Sequence, residues 1–69
     1  MTDIKKKRFK ENDSVRILCS KNENIKQGDI GVVIMVFYKP NLAYEIEVID
    51  EKGNTKAIDT FLEDEIELL

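Results

Sequence analysis

The strongest constraint on this chain is the run at residues 30–38, IGVVIMVFY. Its β-branched, aromatic and other apolar side chains are interrupted only by Gly31. Such residues suit a pleated, partly buried strand. A helix is the weaker reading, because the run is short and stops at Lys39-Pro40-Asn41, a turn sequence. Both parities of the run are apolar. Either the strand is long and bends between two small sheets, or a β-bulge swaps its faces part-way. In both cases it is a central strand, and the rest of the chain must supply its partners.

Those partners are legible on either side. Residues 14–19, SVRILC, alternate Val15, Ile17 and Cys19 with Ser14, Arg16 and Leu18, the period of a half-buried strand. Residues 43–49, AYEIEVI, set Tyr44, Ile46 and Val48 on one face and Glu45 and Glu47 on the other. DEKGN at 50–54 reads as a hairpin loop, with Gly53 suited to a left-handed position. A fourth strand is expected over 55–59. A short turn through 61–64 then leads to a fifth strand over 65–69. The polar loop before residue 30 holds one apolar residue, Ile25, expected to plug a barrel end. No internal repeat or low-complexity segment stands out.

Five short strands with tight connections favour a small closed barrel, since closure leaves no unpaired edge. The expected fold is therefore all-β, a five-stranded barrel with a short turn of helix before the last strand. The expected core is Val15, Ile17, Val33, Val36, Tyr44, Ile46, Val48, Ile58, Leu62, Ile66 and Leu68.

At 69 residues the chain is one domain with little room for an enclosed active site. It has no histidine, which removes the usual general base and the usual zinc ligand. Cys19, the single cysteine, has no internal disulfide partner, which favours a reducing cytoplasm. It is expected to serve as a small core hydrophobe. No apolar stretch is long enough to span a membrane, and the basic N-terminus has no apolar segment of the secretory kind behind it. The expectation is a non-enzyme without cofactor or metal.

Charge is unevenly spread along a chain of net charge −3. Residues 1–10 carry Lys5, Lys6, Lys7, Arg8 and Lys10 against Asp3, for +4, whereas residues 45–69 carry nine acids against Lys52 and Lys56, for −7. This suggests a flexible basic arm at 1–12, with Phe9 docking its end, on an acidic domain at 13–69. An acidic body repels phosphate, so general nucleic-acid binding is disfavoured.

The turn IKQGDIG, residues 25–31, has two readings. Gly28 and Gly31 supply backbone freedom and close approach at a barrel corner. Alternatively the turn and the arm bind RNA or DNA through Lys26, Lys5, Lys6, Lys7, Arg8 and Lys10. A phosphate cradle usually has a helix behind it, and here a strand follows a central Asp29.

The segments NDSVRIL, IKQGDIGVVIMVF, AYEIEVIDEKGNTKAI and LEDEIELL resemble, in that order, a family of small bacterial proteins labelled domain of unknown function 4926. The resemblance spans about residues 10–69, with AYEIEVIDEKGNT its most specific part. It implies an SH3-like barrel with a KOW-type turn, and no mechanism. The chain departs from the family pattern in its basic arm and in Met35, where a polar residue is more typical.

The leading expectation is a protein-interaction module in the cytoplasm, in the form of an antitoxin, immunity or inhibitor protein with one cognate partner. Its candidate surface is Glu45, Glu47, Met35, Phe37, Tyr38, Glu63, Asp64 and Glu65. An exposed stripe of Val33, Met35 and Phe37 would also suit a homodimer. Nucleic-acid binding is the alternative.

Overall fold

The computed structural model describes residues 8–69. Five strands form one antiparallel sheet: β1 (Ser14–Ile17), β2 (Ile30–Phe37), β3 (Ala43–Ile49), β4 (Thr55–Phe61) and β5 (Ile66–Leu68). A 3₁₀ turn, Glu63–Glu65, precedes β5. The order across the sheet is β4-β3-β2-β1-β5. The expected all-β architecture with a short helical turn before the last strand is therefore present. No helix among the described residues is long and apolar enough to cross a membrane.

Every strand contributes to one buried cluster: Val15, Ile17, Val33, Tyr44, Ile46, Val48, Phe61 and Ile66, with Phe9 and Ile25 from the connecting segments. Among the described residues no second layer of structure covers the sheet, so it buries this face by curling around it. Ile25, from the polar loop before β2, is fully buried in this cluster.

β2 resolves its own ambiguity with a bulge. Its register with β3 runs from Ile30↔Ile49 to Val33↔Ile46 and resumes at Met35↔Glu45, leaving Ile34 without an opposite residue. Gly31 and Val33 face inward before the bulge. After it Val36, opposite Tyr44, packs on the core, while Met35 and Phe37 are exposed. The extra residue reverses the parity, as a bulge does. The stripe of Val33, Met35 and Phe37 is thus corrected: Val33 is buried, and only the later two are outside.

Phe9 is part of the core. Its ring meets Tyr44 edge-to-face, with centroids 5.2 Å apart at 84°. Its amide donates to the Tyr44 hydroxyl at 3.4 Å. Asn12 N–H then donates to Val33 C=O at 2.8 Å, and Val33 N–H donates to Asp13 C=O at 3.0 Å. Lys5, Lys6 and Lys7 lie outside the described residues.

Three expected core residues are exposed: Ile58, Leu62 and Leu68. β4 runs on to Phe61, and the pairs Tyr44↔Phe61, Ile46↔Asp59 and Val48↔Ala57 set its phase. Phe61 and Ala57 consequently turn inward and Ile58 outward. Leu62 follows the strand end, and Leu68 lies near the open end of the three-residue edge strand β5. β1 stops at Ile17, so Cys19 lies beyond it and is half-buried rather than in the core.

Candidate functional site

The glycine turn is built from four residues, Lys26-Gln27-Gly28-Asp29. Asp29 N–H donates to Lys26 C=O at 3.0 Å, and Gly28 takes a φ of +97°, the pattern of a turn with a left-handed third residue. The Asp29 carboxylate folds back and accepts the Lys26 amide at 2.9 Å. Gln27 N–H donates to Ser20 Oγ at 3.0 Å, and Gly28 N–H to Ile17 C=O at 2.8 Å. All four amides are therefore engaged inside the protein. An anion cradle needs amides that are free, and this turn offers none.

The same turn occurs a second time, at Lys10-Glu11-Asn12-Asp13. Asp13 N–H donates to Lys10 C=O at 3.0 Å, Lys10 N–H donates to Asp13 Oδ2 at 2.8 Å, and Asn12 has a φ of +76°. Each copy leads into a strand, β1 or β2. A lysine, any residue, a glycine or asparagine, and an aspartate thus make one reusable strand-entry turn. Asparagine and glycine are the residues that best tolerate the left-handed position. The expectation of no internal repeat missed this one, which is four residues long with only its first and last identical.

Asp29 also pairs with Lys56 Nζ at 2.8 Å, tying the turn to β4. Hydrogen bonding from the Lys26 backbone, reinforced by Lys56, holds its carboxyl below the ordinary 3.8. Gly31 answers to a different demand. A β-carbon there would sit 2.5 Å from Ile46 Cγ2 and 2.9 Å from Glu47 O, so β2 and β3 leave room only for hydrogen. Next to the turn lies an open depression lined by Gly28, Asp29, Ile30, Ile49, Asp50, Glu51 and Lys56. Lys56, its one cationic side chain, is already paired.

The outer face of the sheet is different in character. Register places Val32, Glu47 and Ile58 in one cross-strand row, Met35, Glu45 and Thr60 in the next, and Phe37 with Ala43 beyond. Met35 is 48% exposed, Ile58 52% and Tyr38 69%. Glu45 Oε1 accepts the Thr60 hydroxyl at 2.9 Å, and Glu47 accepts that of Thr55. Among the described residues neither glutamate has a cationic partner within ion-pair distance. Two half-buried carboxylates thus stand between exposed apolar groups.

The edge of the sheet at β4 is guarded. The β3–β4 register slips between Val48 and Ile49, which leaves Lys56 without an opposite residue. Thr60 N–H donates to Asp59 Oδ1 at 2.7 Å, and Thr60 C=O accepts from Lys21 Nζ at 2.7 Å. Lys21 also lies 4.7 Å from the Phe61 ring centroid and 3.5 Å from Glu65. A bulge, a lysine and locally satisfied backbone groups are the usual protections of a strand edge.

Of the residues singled out from the sequence, the structure brings Met35, Phe37, Glu45 and Glu47 onto one outer face, with Tyr38 just past the end of β2. Glu63, Asp64 and Glu65 sit apart on the 3₁₀ turn, where Glu65 also accepts the Leu62 amide. Arg8, Lys10 and Lys26 are exposed. Ile58 joins the outer face without having been anticipated there; the phase of β4, read back from Phe61, is the signal that places it.

A family model described as a domain of unknown function, DUF4926, matches residues 11–68. The chain belongs to the DUF4926 family. That match takes in both strand-entry aspartates, Asp13 and Asp29, and all five strands of the DUF4926 domain. No curated protein and no solved structure matches it.

Proposed function

We propose that this DUF4926 domain is a protein-binding module that docks one basic partner on the outer face of β2, β3 and β4. The observation that carries this reading is the placement of Glu45 and Glu47, without cationic partners among the described residues, beside exposed Met35, Phe37 and Ile58. Apolar area supplies affinity at such a face. Charge selects the partner and speeds the encounter. The biological form we favour is a small cytoplasmic antitoxin, immunity or inhibitor protein that acts by occupying its target. The nucleic-acid alternative is left to the side chains of Arg8, Lys10 and Lys26 and to residues 1–7, because the turn amides are engaged.

The test is affinity capture from the native cell with wild-type chain and two double variants, Glu45→Lys/Glu47→Lys and Met35→Ser/Phe37→Ser. One basic protein should be recovered at stoichiometric yield by the wild type and lost with both variants. Recovery of no protein, or equal recovery with all three baits, overturns the proposal.

A further inference from the structure

We infer that the partner engages residues 34–37 of β2 by adding an extended segment as a new strand. This rests on the protein-binding reading above and specifies its mode. β1 pairs with β2 only from Ile30 to Val32, and residues 12 and 13 extend the contact to Val33. Beyond that point no described residue makes a backbone hydrogen bond to the β1 side of β2. Among the described residues the second half of β2 is thus an open edge, and an open edge is a template for one more strand.

The contrast with the other edges is informative. β4 is protected by a bulge, a lysine and locally satisfied backbone groups, and β5 is only three residues long. Residues 34–38, IMVFY, carry no charge and no proline, and Ile34, Met35, Phe37 and Tyr38 are all exposed. Guards are present at one edge and missing at the other, in a domain whose core is complete without these side chains.

Charge states the occupant's chemistry. Glu45 lies opposite Met35 and one strand in from the edge, about 10 Å (two strand spacings) from an added strand. That span is within the combined reach of an arginine and a glutamate side chain. The occupant is therefore a partner segment that alternates apolar with basic residues. Its lysines or arginines lie on the outer face, their stems beside Met35 and Phe37 and their charges toward Glu45, while its apolar side chains point to the opposite face, beside Val36.

The probe is a fluorescein-labelled, end-capped hexapeptide of alternating valine and lysine, titrated into the full chain and read by anisotropy. A second peptide of the same sequence is N-methylated along one edge; it keeps every charge and removes the strand-pairing donors. Saturable binding that falls at least tenfold on N-methylation and on Ile34→Lys, but not on Leu62→Lys, supports strand addition. A thermal midpoint of Ile34→Lys close to wild type shows that the fold is retained. Equal binding of the two peptides overturns the inference. At least tenfold tighter binding by a chain lacking residues 1–7 also overturns it, by making that segment the native occupant. A concentration-dependent dimer abolished by Ile34→Lys assigns the edge to a second copy, with the same consequence. If a captured partner depends on Glu47 and Ile58 but not on Ile34, strand addition falls while the binding-module reading stands. If capture depends on none of them, both fall.

Discussion

Asp29 Oδ2 lies 2.8 Å from Lys56 Nζ, and the same atom accepts the Lys26 amide, so the glycine turn is closed by an anion of the protein's own. Its carboxyl is held below the ordinary value, which means that the folded state binds this proton more weakly than the unfolded one. The stabilisation is complete above the unfolded value and is lost as pH falls below it through the folded value. Thermal midpoints of wild type and Asp29→Asn should therefore differ most near pH 7 and converge near pH 2. Lys56→Ala should cost only about 0.2–1 kcal/mol, because the pair is partly solvated.

The two strand-entry turns predict an asymmetric tolerance at Gly28. An added β-carbon meets nothing within 4 Å, so only the positive φ opposes substitution. Gly28→Ala should cost about 1–2 kcal/mol. Gly28→Asn should cost distinctly less, since Asn12 already holds that position in the other turn. Urea denaturation of the two variants compares them directly.

Gly31 should tolerate neither. Its β-carbon would press on Ile46 and on the Glu47 carbonyl, a backbone atom that cannot swing aside. Gly31→Ala should lose about 2–3 kcal/mol, as overpacked positions do, and more than Gly28→Ala. Equal midpoints in urea would contradict this ordering.

Phe9 should matter far more than its place before the first strand suggests. Phe9→Ala removes a buried ring and its edge-to-face contact with Tyr44. A loss of about 3 kcal/mol is expected, a large part of the stability of a domain this size. Phe9→Leu should recover part of it. Equilibrium unfolding followed by tyrosine fluorescence or circular dichroism provides the check.

Met35→Ser/Phe37→Ser should leave stability within about 0.5 kcal/mol per site, as exposed substitutions usually do, while abolishing partner capture. A large fall in the thermal midpoint would instead make these side chains structural.

Much of this architecture is written locally. The alternation in AYEIEVI gives β3 its bounds and its two faces, because side chains in a strand point to opposite sides in turn. The doubly apolar run at 30–38 announces a bend or a bulge, and Gly28 and Gly31 announce a corner. The outer face of Met35, Phe37, Glu45 and Glu47 follows once the bulge is placed. The phase of β4 is harder to read. Ala57 and Ile58 are adjacent and both apolar, so neither alternation is favoured until Phe61 is paired with Tyr44 across the sheet.

The sequence by itself determined that five strands form and roughly where each lies, and which of the two central strands carries the carboxylates, since these depend on neighbours along the chain. Tertiary structure decided what local pattern leaves open: that Ile34 is the bulged residue, that Phe61 rather than Ile58 is buried, that Phe9 docks on Tyr44, and that Asp29 pairs with Lys56. The physical reason is common to all four. Each is fixed by a contact between segments distant in the chain, and such a contact exists only when the curled sheet brings them together.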